Sequence, residues 1–305
     1  MCAKKVTTKS EDVGTTGHQW DGIEELNNPL PRWWVWIFYL TVIWGLGYTV
    51  FYPAWPLISH ATQGIYGPSE RKAVDDDIAA WDAKNAEVKA KLVAADVNAI
   101  PADATLKDYA ANAGKAVFNT YCVQCHMREG QGNPAKGYPT LSDNDWLFGG
   151  TMDAIVATVS HGVRNTTDAD ARNVGLYMPA WAENAAPGPM ADAASAKLTA
   201  DQIGQLVNYV LKISGQSADE AKAAAGMQLF ADNCVACHGD GGQGNRDMGA
   251  PNLTDAIWLY GGSEAQLTAT IANGRGGVMP AWSGRLSEGD IRSVATYVHA
   301  LGGGE

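Results

Sequence analysis

The stretch YCVQCHMREGQGN, Tyr121 to Asn133, returns 112 residues later as NCVACHGDGGQGN, Asn233 to Asn245. A bare Cys-x-x-Cys suits a redox dithiol or half of a zinc site, but a trailing His makes it the attachment pattern of a c-type haem. Two thiols at this spacing reach the two vinyl groups on one edge of a porphyrin. The adjacent imidazole then swings under the ring to the iron. Cys122 and Cys125 are therefore expected to anchor one haem, with His126 as its proximal ligand. Cys234, Cys237 and His238 repeat the set, so two covalently attached c-type haems are the expected cofactors.

Two Cys pairs with a His could instead build one four-ligand zinc site. That reading needs the pairs to collaborate, whereas each pair heads its own copy of a longer pattern. LSDNDWLFGG (Leu141 to Gly150) matches LTDAIWLYGG (Leu253 to Gly262), Pro139 matches Pro251, and His161–Gly162 matches Asn273–Gly274. YMPAW (Tyr177 to Trp181) then matches VMPAW (Val278 to Trp282). Each copy closes with an amphipathic helix. Thr199 and Gln202 form a capping box ahead of Ile203, Leu206, Val207, Val210 and Leu211. Ser287 caps a helix bearing Ile291, Val294, Ala295 and Val298. Repeats of this length are whole domains, expected at 109–214 and 215–305.

A haem iron that binds no substrate needs a second axial ligand, and Met with His raises its reduction potential. Of the eight methionines, Met127 adjoins His126 and cannot reach the opposite face. Met152, Met190, Met227 and Met248 have no counterpart in the other repeat. Met178 and Met279 occupy equivalent places, each followed by Pro-Ala-Trp, whose proline stiffens the loop. They are the expected sixth ligands. Each Met can serve the iron of its own repeat, or the pair can be crossed if the domains interlock; the sequence leaves both open. The first copy carries a longer loop before its Met, in or near NTTDADARNVG. His161 falls at an Asn in the other repeat and is read as a surface or propionate-side residue. Arg164 and Arg275 are open to two readings, pairing with propionates or plain solvation.

From Trp33 to Ser59 no charged residue or His occurs, and the run is apolar around its whole circumference. It exceeds the ~20 residues that cross a bilayer, has aromatic rings at both ends, and meets Pro53 and Pro56 at its close. A cleaved signal would be shorter and would end at small residues. A retained helix over 32–58 is expected, contacting membrane lipid, with 1–31 cytoplasmic. Lys4, Lys5, Lys9 and Arg32 ahead of the span favour that orientation. The Ala-rich, polar stretch within 59–108 reads as a helical or flexible spacer. Cys2 has no apolar stretch before it and reads as an incidental thiol.

Net charge is −11, and after residue 60 there are 28 acidic against 18 basic side chains. This argues against nucleic acid, whose phosphates would be repelled, and suits a basic partner, although acidity for solubility alone gives the same composition.

With these residues in view, 109–304 resembles two tandem class I cytochrome c domains. The run from Thr15 to Ile58, WDGIEELNNPLPRWW above all, resembles the dihaem subunit III (CcoP/FixP) of cbb3-type cytochrome c oxidases. With it the resemblance covers almost the whole chain. The fold it implies is all-α, one N-terminal transmembrane helix followed by two cytochrome c domains. It implies a bacterial inner-membrane subunit of the respiratory chain whose C-terminal domains are periplasmic, since haem is attached outside the cytoplasmic membrane. A periplasmic cytochrome c donor would supply electrons. A monohaem cytochrome c subunit would pass them on to the haem–copper catalytic subunit, so that this chain catalyses no bond-making step itself. The rival readings are a free-standing membrane-anchored dihaem shuttle and a dihaem peroxidase with one exchangeable ligand.

Overall fold

The computed structural model describes residues 13–192 and 197–305. Cys2 and Lys4, Lys5 and Lys9 lie outside the described residues. The chain divides at Ala83/Lys84 into two compact parts.

In the first part, β1 (Thr15–Trp20) and β2 (Ile23–Leu26) pair antiparallel, a departure from an all-α reading. The cause is local. Asp21 and Gly22 both take positive φ, 49° and 87°, the two-residue turn that Asp-Gly favours between strands. The helix α1 (Arg32–Phe51) follows with no buried side chain. Its 20 residues rise about 30 Å, the hydrocarbon thickness of a bilayer. Thr41 and Thr49 return their hydroxyls to the carbonyls of Phe38 and Leu46 at 2.7 and 2.8 Å, so neither is left unpaired in an apolar medium. The helix stops at Phe51 rather than running to Ile58, because Tyr52 turns extended ahead of Pro53. The chain then folds back, and Ile65 and Tyr66 donate to the terminal carbonyls of Val50 and Phe51. Gly64 makes this approach possible: a Cβ there would lie 2.4 Å from the Phe51 oxygen.

The stretch after Ser69 is helical, α2 (Glu70–Ala94). Its last carbonyls, Leu92 and Ala95, accept from the Arg292 guanidinium at 3.2 and 2.6 Å. In the second part come α3 (Ala104–Val117), the one-turn α4 (Val123–His126), α5 (Met152–His161) and the short α6 (Pro189–Asp192). Next are α7 (Ala200–Ile213), α8 (Glu220–Asn233), the one-turn α9 (Val235–His238), α10 (Glu264–Asn273) and α11 (Glu288–His299). α3 thus begins inside the stretch read as spacer, capped by the Asp103 carboxylate. Thr199 forms the capping box its sequence suggests, and Ser287, expected as a cap, forms a box with Asp290.

The packing units are not the sequence repeats. One core gathers Ala110, Phe118 and Ile155 of the first repeat with Ile291, Val294 and Val298 of α11. The other gathers Phe230, Leu267 and Ile271 of the second repeat with Ile203, Leu206 and Val207 of α7. Each repeat has thus handed its last helix to the other. The two helix crossings match residue for residue. A Cβ on Gly114 of α3 would lie 2.0 Å from the Ser293 oxygen of α11, and one on Gly226 of α8 would lie 2.1 Å from the Gln205 oxygen of α7. Phe118 meets Tyr297 at 5.3 Å, and Phe230 meets Tyr209 at 5.1 Å. Burying the five aliphatic residues on α7 is worth on the order of 10 kcal/mol, an upper bound because unfolded chains are already partly collapsed. The exchanged helix therefore does not detach without dismantling the core.

Candidate metal centres

Both Cys-x-x-Cys-His stretches end in a single helical turn, α4 or α9, stopped by a residue at positive φ: Met127 at 60° and Gly239 at 77°. The His126 Nδ1 donates to the Pro139 carbonyl at 3.1 Å, and the His238 Nδ1 to that of Pro251 at 3.0 Å. A carbonyl only accepts, so Nδ1 carries the proton and Nε2 keeps a lone pair for a metal. Burial holds both imidazoles below their ordinary pKa, with the carbonyl bond opposing weakly. They are neutral and ready to ligate.

Cys122 and Cys234 are in the opposite state from the acidified thiol of a redox dithiol. Burial, and then the neighbouring thiol, pushes Cys122 up to about 11 and Cys234 up to about 12. None of the four is in a disulfide. The two pairs also open onto different cavities, which removes the shared zinc site.

The cavity of about 240 Å³ at Cys122, Cys125 and His126 receives Met279, and that of about 320 Å³ at Cys234, Cys237 and His238 receives Met178. Of the two arrangements left open by the sequence, the structure brings together the crossed one. Reciprocal backbone bridges hold it. Val163 and Met279 exchange two N–H···O bonds at 3.0 Å each, and Met178 and Arg275 do so at 2.9 and 3.1 Å. Gly162 and Gly274, at φ of 75° and 70°, end α5 and α10 against these loops; a Cβ would fall 2.3 Å from the Met279 oxygen or 2.4 Å from the Met178 oxygen. Gly162→Val and Gly274→Val are each expected to cost about 1–3 kcal/mol in backbone strain alone, read by denaturant titration.

Apolar side chains dominate the walls: Trp146, Ile155 and Trp282 on the first cavity, Trp181, Trp258 and Leu267 on the second. Two thiols, a neutral imidazole and a thioether opening onto one apolar cavity fit an iron porphyrin held by thioether links, and they do so twice. Met248, set aside for want of a counterpart, lines the second cavity; its repeat mate Lys136 lines the first. His161 faces neither, and its Nδ1 lies 3.2 Å from the Asp168 carboxylate.

Two charged wall residues have no charged mate in the other repeat, where Gly276 and Ile257 stand instead. Arg164 borders both cavities. Asp145 lines the first, and burial, followed by the nearby Asp255 and Asp143, lifts its carboxyl to about 6. A carboxyl with a raised folded pKa disfavours the folded state above about pH 6, and the penalty vanishes below the unfolded value near 4. Asp145→Asn is therefore expected to stabilise the protein at pH 7.5 by about 1 kcal/mol, the full shift being discounted for solvent screening of a half-exposed group. Melting curves at pH 7.5 and 4 check this, with no gain expected at pH 4.

Comparison with known proteins assigns three stretches. The family described as the N-terminal domain of cytochrome oxidase-cbb3, FixP, matches residues 12–59. Cytochrome c matches 111–214, and cytochrome c oxidase, cbb3-type, subunit III matches 221–298. The chain is 53% identical to the cbb3-type cytochrome c oxidase subunit CcoP of Cereibacter sphaeroides over 305 residues, all of both chains. It is 53% identical to the subunit CcoP of Rhodobacter capsulatus, covering 99% of this chain and 100% of that one. It is 47% identical to the subunit FixP of Bradyrhizobium diazoefficiens, covering 95% of each.

Proposed function

Since the chain belongs to the CcoP/FixP family of cbb3-type cytochrome c oxidase subunits, a membrane-anchored cytochrome c component of electron transport, we propose that it is the oxidase's electron-entry wire. Two c-type haems would be held covalently, one at Cys122 and Cys125 with His126 and Met279 as axial ligands. The other would be held at Cys234 and Cys237 with His238 and Met178. Electrons from a periplasmic cytochrome c would leave through the monohaem subunit for the haem–copper subunit. On this reading residues 1–31 are cytoplasmic and 59–305 periplasmic.

What carries the reading is that each cavity collects two cysteines, one histidine and the methionine of a Met-Pro-Ala-Trp loop. The bound group supplies one-electron chemistry. The chain's residues fix how easily it runs. The Pro139 and Pro251 carbonyls orient the imidazoles. Apolar walls exclude water and penalise added charge, and the soft thioether keeps the potential high. With both axial positions taken, this chain would bind no substrate at iron and make no bond itself. The acidic excess after residue 60 suits a basic donor, docking faster at low salt.

The test is purification in mild detergent, followed by haem staining of the separated subunits. The expected result is this chain stained with two haems per copy, together with a haem–copper subunit. A chain recovered alone would favour a free-standing shuttle. A high-spin resting spectrum would favour a peroxidase.

A further inference from the structure

Among the described residues, five border both cavities: Leu147, Arg164, Leu259, Tyr260 and Gly277. Four are neutral, so Arg164 is the one formal charge in the shared wall. It stands on strained backbone, at φ 52°, pinned where Arg164 donates its N–H to the Arg172 carbonyl at 2.7 Å. Its guanidinium is aimed by two further bonds, Nε to the Leu176 carbonyl at 2.6 Å and Nη1 to the Gly277 carbonyl at 3.1 Å. A guanidinium has five N–H donors, so several remain. Among the described residues no carboxylate forms an ion pair with Arg164, although the group is half-buried and burial works against its charge. A partly desolvated cation without an anion is costly.

The second repeat does not duplicate the device. The position equivalent to Arg164 is Gly276, where a Cβ would meet the Tyr177 ring at 2.4 Å. The other arginine nearby, Arg275, lines only the second cavity, stacks on Tyr260 at 4.3 Å and bonds Thr270 Oγ1. One cation therefore serves two sites.

We propose that Arg164 is the common positioning residue of the two sites, a counter-cation that binds porphyrin carboxylates from both cavities and sets the two potentials together. This rests on the haem reading above. A positive charge between the sites favours the reduced state of each iron, and Arg suits carboxylates through its planar fork.

The experiment is potentiometric titration of the purified, haem-loaded complex with R164Q, R164K and R275Q, with haem per chain measured in parallel. R164Q should lower both midpoint potentials, and R164K, which keeps the charge but not the fork, should move both the same way by less. R275Q should move only one. Should R164Q fail to assemble, R164K decides alone. Two haems still bound with either potential unmoved by the Arg164 substitution would overturn the proposal. Fewer than two covalent haems in the unsubstituted chain would instead overturn the haem reading beneath it.

Discussion

On the proposed ligation, Met279→His is expected to lower the potential of the haem that Cys122 and Cys125 would tether and to leave the other unmoved; Met178→His is expected to do the reverse. Each Met lines the cavity of the other repeat's cysteines, so the expected pattern is the opposite of what nearest-in-sequence pairing gives. Exchanging a thioether for a second imidazole removes a soft ligand that favours reduced iron. The drop should be a sizeable part of the roughly 0.8 V that axial ligands span. To tell which haem has moved, Cys234→Ala serves as a label: with one thioether lost, that porphyrin keeps a conjugated vinyl group and absorbs at longer wavelength. Potentials read at the shifted and unshifted bands then belong to known tethers. A Met279→His shift in the labelled band would sink the crossed assignment.

Gly226→Ala destabilises the protein by about 3 kcal/mol or more, and Gly114→Ala does the same, whereas Gly204→Ala stabilises it by up to about 1 kcal/mol. All three glycines lie inside helices, where Ala is the better former. At Gly204 an added methyl meets nothing within 4 Å, while at Gly114 and Gly226 it would sit about 2 Å from a backbone oxygen of the crossing helix. That oxygen belongs to a helix main chain and cannot swing aside as a side chain would. The helices must separate, and Phe118 and Phe230, each 1% exposed or less, lose their packing. Denaturant midpoints of the three variants measure the contrast. A mild effect at Gly226 would mean that the α7–α8 crossing is looser than described.

The repeat told most of the story. The 112-residue offset located both cysteine pairs, the duplicated pattern led on to the Met-Pro-Ala-Trp loops and the closing helices, and Thr199 announced its capping box and Ser287 its cap. What it could not tell is which helix closes which core. Two copies of one pattern satisfy the same local chemistry whether their last helices stay home or trade places, so nothing local distinguishes the arrangements. The glycines at 114, 226, 162 and 274 mark the contacts but not the partner. Screening for counterparts set aside Met248, whose mate is Lys136, and Arg164, whose mate is Gly276, was open to two readings because a sequence does not show which cavities a side chain borders. Asp145 was invisible because its pKa depends on burial and on Asp255, 110 positions away. The hairpin at 15–26 is written in the Asp21-Gly22 pair, whose two positive φ angles suit a two-residue turn between strands.

The traded helices also order the chain's maturation. Everything the later core needs, from Met178 through α7, α8 and α10 to Asn273, is one unbroken stretch. The earlier core begins with α2 and α3 yet waits for Met279 and α11 near the carboxyl end. In chain order the core around the second cavity is therefore complete before the core around the first. On the proposed topology, Cys122 would be exported well before Cys234 yet would stand in an unfinished fold until the final residues arrive, an open, pliable substrate for haem attachment.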